Sequence, residues 1–289
     1  MNSHTRHFTR LLPLLLVLGT ASLAWADTPV RIVTWNVHPR SIAGETPEGR
    51  MNRLLTFAAG QGVDIIAFQE VPRSLLNTPA RLDPLMAAAT QAGFEVAALP
   101  GEYPNTPGRT PTSNIHNAYM VLYNPNVVTP ANVAPGTDPA MTFFRPELFT
   151  QGPLNQARPP ATLTFDVRHA DGGTSPLHLL TWHNEAGSLA AGHVRQLEGA
   201  IQNHLATQQG NWVVVGDFNV ADSTAEMQDL DADYHLLTHD ENGIDHILSN
   251  ATITNVVNDD AAHPIDPRFR SDGRHLALFG ELNIPRGSQ

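Results

Sequence analysis

At 289 residues, with 41% hydrophobic and 16% charged residues, the chain has the apolar content of a folded protein and the length for one large domain or two ordinary ones. All 17 basic residues are arginine, and the 28 acidic residues bring the formal charge to -11, which excludes a general electrostatic grip on a polyanion. Cysteine is absent, so disulfides, thiolate metal sites and cysteine nucleophiles are excluded and any metal must be held by oxygen or imidazole.

In chain order, residues 1–26 carry a cationic start (Arg6, Arg10), an apolar run from Leu11 to Leu18 broken at Pro13, and the small-x-small tripeptide Ala24-Trp25-Ala26. This pattern predicts a secretory signal peptide rather than a membrane anchor, because the apolar stretch is shorter than the roughly 20 residues a spanning helix needs. Cleavage after Ala26 would remove two arginines and no acid, leaving residues 27–289 as a single exported domain, secreted or periplasmic, with a charge of -13. Strands are predicted at Val30–Val37 and Asp64–Val71, with a helix between them that places Met51, Leu54, Leu55 and Ala58 on one face. A second helix holds Leu82, Leu85, Met86 and Ala89, and strands follow at Phe94–Leu99 and Ala118–Tyr123, separated by a loop at 101–115. The proline-punctuated stretch Pro125–Pro160 leads into a hairpin of Ala161–Arg168 and Pro176–His183. A third helix presents Val194, Leu197, Ile201 and Leu205 on one face, and strands close the chain at Asn211–Val215, Gly243–Ser249, Ile253–Val257 and His275–Leu282. The order predicts one mixed α/β domain with two sheets.

Polar residues stand just past the buried residues of these strands: Thr34-Trp35-Asn36, Phe68-Gln69-Glu70, Thr181-Trp182-His183-Asn184 and Gly216-Asp217-Phe218-Asn219. Any one of them reads as a turn residue. Together with Gly243-Ile244-Asp245-His246 and Ser271-Asp272-Gly273-Arg274-His275 they form an inventory of carboxylates, amides and imidazoles, suited to a hard cation and acid–base histidines.

This ordered series resembles the endonuclease/exonuclease/phosphatase superfamily, the group containing pancreatic deoxyribonuclease, from Trp35 to His275; Gly-Asp-Phe-Asn after a valine-rich strand is its most specific part. Ala118–Asn126 is similar to a core strand of the deoxyribonuclease-like members, and Arg158-Pro159-Pro160 with the following hairpin is similar to the nuclease subunit of cytolethal distending toxins. The resemblance implies a four-layer α/β/β/α sandwich of two mixed sheets and metal-dependent cleavage of a phosphate ester. It implies Glu70 as principal Mg²⁺ ligand (Mn²⁺ and Ca²⁺ being alternatives), with Asn36 and Asp272 beside it. It further implies Asp217 aligning the attacking water, Asn219 bonding a phosphate oxygen, His275 paired with Asp245, and His183 stabilising charge on phosphate or protonating the leaving group. Arg158 would fork onto phosphate oxygens.

The chain departs from the family pattern twice. Gly273 and Arg274 separate Asp272 from His275, which makes His246, adjacent to Asp245, a rival for the terminal histidine role. Asn117 stands where deoxyribonuclease-like members often carry a glutamate. The expected activity is an exported phosphodiesterase, foremost an endonuclease on DNA or RNA; a lipid phosphodiesterase of the sphingomyelinase kind or a phosphomonoesterase is the alternative. A non-catalytic binding protein on the same scaffold would be expected to have lost Glu70, Asp217 or His183, and all three are present. No aromatic hairpin for membrane docking is evident, and stable membrane association is not expected.

Overall fold

The computed structural model describes residues 27–99, 118–133, 139, 141–150, 158–205, 207, 210–238, 243–255, 269 and 275–286. In chain order the elements are β1 (Thr28–Asn36), α1 (Pro47–Gly60), β2 (Ile65–Val71), α2 (Arg73–Leu76), α3 (Pro79–Gln91), β3 (Glu95–Leu99), β4 (Ala118–Tyr123), β5 (Val128–Pro130), β6 (Thr142–Phe143), α4 (Pro146–Thr150), β7 (Ala161–Arg168), β8 (Thr174–His183), α5 (Ala190–Leu205), β9 (Asn211–Asp217), α6 (Ala225–Asp233), β10 (His235–Thr238), β11 (Asp245–Ser249), β12 (Thr252–Asn255) and β13 (Leu278–Ile284). One sheet runs β12-β13-β1-β2-β4-β3 and the other β10-β11-β9-β8-β7-β5, with β6 on β7. Each sheet has one parallel pair, β1 with β2 and β8 with β9, among antiparallel neighbours.

Side-chain alternation distributes these strands over three apolar layers. Val30, Ile32, Ile65, Ala67, Leu177, Leu179, Val213, Val215 and Ile247 fill the space between the sheets. Their neighbours one residue on point outward: Val33, Trp35, Ile66 and Phe68 pack beneath α1 and α3, and Leu180, Trp182, Trp212, Val214 and Leu248 beneath α5 and α6. The result is the expected α/β/β/α sandwich. α1 starts at Thr46, whose hydroxyl caps Gly49 N–H, has Pro47 in its first turn, and buries Met51, Leu54, Leu55 and Ala58.

The sequence reading passed over three helices and three strands. The α6 segment buries only Met227 and Leu230 among acidic, polar and alanine residues, so it shows little periodicity; Thr224 caps it. β10 is a half-buried edge strand, and β5 and β6 are three- and two-residue pieces within the proline-rich stretch. Two boundaries matter for the site. β9 runs on through Gly216 to Asp217, and β13 starts at Leu278, so His275 precedes the strand instead of opening it. The signal-peptide reading, the 101–115 loop and the last two residues of the Ile253–Val257 strand fall outside the described residues.

Candidate active site

The same alternation carries polar residues into the inter-sheet space at one end of the sandwich. Continuing each inward-facing series gives Thr34 and Asn36 on β1, Gln69 on β2, Thr181 and His183 on β8, Asp217 on β9 and Asp245 on β11. Parallel pairing sets His183 beside Asp217, and antiparallel pairing sets Asp245 on its other side. The close approach of β8 and β9 requires glycine at 216: its φ is +138°, and a Cβ there would lie 1.9 Å from Trp182 O.

Glu70 would face the helices if β2 were regular. A break in register with β4 between Phe68 and Val71, and a left-handed φ of +56° at Glu70, turn it instead toward the site, where Oε1 lies 3.3 Å from His183 Nε2. Asn219 is also left-handed at φ +53°; its N–H donates to Asp217 Oδ1 at 2.9 Å and its side-chain amide to Asn184 O at 2.9 Å. Such a backbone in a non-glycine residue costs about 1–3 kcal/mol and persists where the surroundings enforce it.

Asp217 is at the centre. Its Oδ2 accepts from Asn36 Nδ2 at 3.0 Å and lies 3.5 Å from His183 Nε2 and 3.8 Å from His275 Nδ1. Burial pushes its carboxyl up to about 7 and the neighbouring Asp245 adds to this, against the opposing pull of His275, Asn36 and the Asn219 N–H. His275 Nδ1 lies 3.2 Å and 3.4 Å from the two oxygens of Asp245, which holds the Nδ1–H tautomer and leaves Nε2 as the basic nitrogen. Arg158 Nη1 lies 2.7 Å from His183 Nδ1, and Arg158 Nε is 3.2 Å from Glu185 Oε2. The same Nη1 is 2.5 Å from His183 Nε2, so the guanidinium does not select the tautomer; the Glu70 and Asp217 carboxyl oxygens beside Nε2, which accept, place the His183 proton there.

The structure therefore brings Asn36, Glu70, Arg158, His183, Asp217, Asn219, Asp245 and His275 to one edge. Asp272, Arg274 and Asn117 lie outside the described residues. His246 is elsewhere: one residue on from Asp245 it faces the outer layer, fully buried against Phe218, with Nε2–H donating to Val220 O at 2.8 Å. Burial pushes its ring down to about 4, so it is a neutral core residue near pH 7.

Sequence reasoning missed three supports. Gln69 ties the sheets beneath the site by donating to Thr34 Oγ1 at 3.0 Å and Thr181 Oγ1 at 2.9 Å. Asn184 donates to Ala190 O and Phe218 O, both at 3.0 Å, and accepts from Glu185 N–H at 2.8 Å, fixing the loop that holds Asn219. The Tyr119 hydroxyl accepts from His183 N–H and donates to Pro159 O, each at 3.2 Å. A polar residue at an inward position of an otherwise apolar strand was the available signal for Gln69; the Asn184–Phe218 bond and both Tyr119 bonds join segments far apart in sequence.

The donor set fits a divalent cation. Ligand atoms of Asp217, Asp245 and His275 all lie within 4.8 Å of one another, and Glu70 adds a third acidic group through His183. Asp217 and Asp245 lie side by side in a buried edge where a cation would offset their charge; burial first, and Asp245 second, raise the Asp217 carboxyl. The carboxylate and amide oxygens of this edge suit a hard ion of the Mg²⁺ type.

With this architecture and edge in view, the chain belongs to the Endonuclease/Exonuclease/phosphatase family, which it matches over residues 33–272. Members of this superfamily are metal-dependent phosphoric ester hydrolases. Among solved structures, the chain is similar to the human nocturnin catalytic domain (TM-score 0.58, 15% identity, 90% of this chain and 96% of that one). It is also similar to a humanized D. rerio TDP2 (TM-score 0.53, 13% identity, 88% and 99%) and to a Bacteroides thetaiotaomicron mannosyl-6-phosphatase (TM-score 0.53, 12% identity, 89% and 100%). At these identities the likeness is one of fold. No curated protein matches the sequence.

Proposed function

We propose that the protein is an exported, divalent-metal-dependent phosphodiesterase that acts as an endonuclease on DNA or RNA. The observation that carries this reading is the convergence of Glu70, Asp217, Asp245, His183 and His275 on one polar edge, with the Arg158 guanidinium against it. Glu70 and Asn36 would hold the metal, joined by Asp272 as the family resemblance implies. When bound, Mg²⁺ supplies charge stabilisation for a phosphoryl oxygen.

The remaining chemistry belongs to the side chains. Asp217, with a carboxyl near 7, aligns the attacking water and takes its proton at neutral pH. The Asp245–His275 pair presents an imidazole Nε2 to the phosphate. His183, with its proton on Nε2, faces the charge that develops on phosphate or the leaving oxygen, and Arg158 and Asn219 bond phosphate oxygens. A net-acidic protein with a few arginines at the site contacts few phosphates, so binding is weak and sequence-neutral. No helix among the described residues is long and apolar enough to cross a membrane.

The test is product analysis of the purified protein with Mg²⁺, Mn²⁺ or EDTA on supercoiled plasmid, RNA, sphingomyelin and sugar or inositol phosphates. Nicking of plasmid or cleavage of RNA that EDTA abolishes is expected. Release of phosphocholine or inorganic phosphate with nucleic acid left intact would replace the nuclease reading by the lipid or monoester alternative. Mass spectrometry of the exported protein should give Asp27 as its first residue.

A further inference from the structure

Arg50 on α1 is only 1% exposed, and burial of a guanidinium is tolerated when its N–H groups find acceptors. Here its acceptors are main-chain carbonyls of the segment that links β1 to α1. Nε donates to Val37 O at 3.0 Å; Nη2 donates to Val37 O at 2.7 Å, His38 O at 2.6 Å and Arg40 O at 2.8 Å; Nη1 donates to Glu45 O at 2.8 Å. The far part of this segment already closes on itself through the Ile42–Glu45 bridge, so the bonds to Val37, His38 and Arg40 act on the part nearest the site. There His38 is held left-handed, with φ +51°.

That conformation has a consequence at the active edge. His38 N–H donates to Asn36 Oδ1 at 3.0 Å, and Asn36 Nδ2 donates to Asp217 Oδ2 at 3.0 Å. A main-chain N–H only donates, so the His38 N–H selects the orientation with Oδ1 toward itself and Nδ2 toward Asp217. The His38 N–H therefore helps to fix which way the amide points. The arrangement runs without a gap from Arg50 through the Val37–Arg40 turn and the Asn36 amide to Asp217.

We propose that Arg50 is a positioning residue of the active site, holding the turn after β1 so that the Asn36 amide is presented to Asp217 in one orientation. The kinetic part of this proposal rests on the phosphodiesterase reading; the structural part does not.

The test compares Arg50→Lys and Arg50→Gln with Leu54→Ala, which removes a fully buried side chain from the same helix without touching the turn. Turnover is read on bis(p-nitrophenyl) phosphate with Mg²⁺, and the Asn36 side-chain amide is followed by ¹⁵N–¹H NMR, assigned by its absence from Asn36→Asp. In the Arg50 variants kcat is expected to fall about 10-fold to 10²-fold with KM changed less than about twofold, as for a misplaced catalytic group. Their Asn36 amide signal should shift and exchange faster with water. Leu54→Ala should melt at lower temperature with kcat per folded molecule unchanged. Arg50 variants that keep kcat and the Asn36 signal would overturn the proposal, as would a Leu54→Ala loss of kcat equal to theirs. Should Arg50→Gln fail to fold, Arg50→Lys, which keeps the charge but not the fork, carries the comparison. A wild type that turns over no phosphodiester defeats the functional reading, and the Asn36 signal then decides the positioning claim by itself.

Discussion

At the end of the sandwich where β1 begins, His169 lies between two hydroxyls, Thr28 Oγ1 at 2.6 Å and Ser175 Oγ at 2.7 Å, and the Ser175 hydroxyl donates to Pro285 O at 3.1 Å. Nearby, Asp64 accepts from Arg31 N–H at 2.9 Å, and the Arg31 side chain pairs with Glu281 at 2.9 Å. At the end where β1 stops, Asp217 faces Asp245 and lies within one histidine of Glu70, and two of the strained residues, Glu70 and Asn219, hold their side chains there. Both ends are rich in buried polar groups. At the first, the hydroxyls and the imidazole meet hydrogen-bond partners, Arg31 meets Glu281, and the buried Asp64, its carboxyl pushed up by desolvation, accepts the Arg31 N–H; pairing of this kind is how polar groups are accommodated in a fold. At the second, like charges are crowded and backbone strain is retained, a combination that lowers stability and prepares chemistry.

The largest effects should separate the two ends by activity. Glu70→Gln keeps size and removes a charge, and His275→Ala removes the imidazole held by Asp245; each should cut kcat by about 10² or more while circular dichroism stays native. His169→Ala at the other end should leave kcat within about twofold, and a comparable loss there would erase the distinction. His246→Ala should likewise lose stability ahead of turnover.

Titration sharpens the same contrast. The unfolded His246 takes up a proton near 6.5 and the buried ring only near 4, so between those values the unfolded chain binds more protons. Its contribution is full above about 6.5 and is lost as pH falls to about 4, roughly 3 kcal/mol in all. Asp217 acts with the opposite sign in metal-free protein: its folded carboxyl near 7, raised from 3.8, makes stability fall as pH climbs through that window. Asp217→Asn should therefore unmask the His246 slope in urea titrations run in EDTA from pH 4.5 to 7.5. A flat profile in that variant would show that His246 is not buried neutral.

Smaller effects belong to the paired end. His169→Ala removes the ring partner of the Thr28 and Ser175 hydroxyls and should cost about 1–3 kcal/mol in urea unfolding. Arg31→Ala breaks a half-exposed ion pair and should cost about 1 kcal/mol or less, shrinking further in high salt. An Arg31 effect larger than that of His169 would mean that charge pairing, not hydroxyl satisfaction, holds this end.

Several features were legible from local pattern alone. A strand's side chains alternate with a period of two, so a run such as Val213-Val214-Val215-Gly216-Asp217 already places Asp217 on the face of Val213 and Val215, and the same count sends Asp245 inward and His246 outward. Motif order from Trp35 to His275 was enough for the family, and the helix repeat around Leu54 was enough for α1. Glu70 shows where the count breaks. By alternation it points toward the helices, and only the register break against β4 and its left-handed backbone turn it to His183.

What tertiary structure decided has one physical cause: it depends on groups far apart in sequence meeting at hydrogen-bond distance. The two-residue insertion before His275 left its destination open, and the fold settles it by starting β13 only at Leu278, which lets the ring reach Asp245 across 30 residues. Gln69 joining the sheets through Thr181, and Arg50 gathering the carbonyls of the turn after Asn36, each depend on a partner that neither alternation nor helical repeat can locate. Periodicity is a property of each strand by itself, so the sequence determines which residues face the gap between the sheets. Which of them touch across that gap depends on how the sheets pack and on the turns that depart from regular geometry.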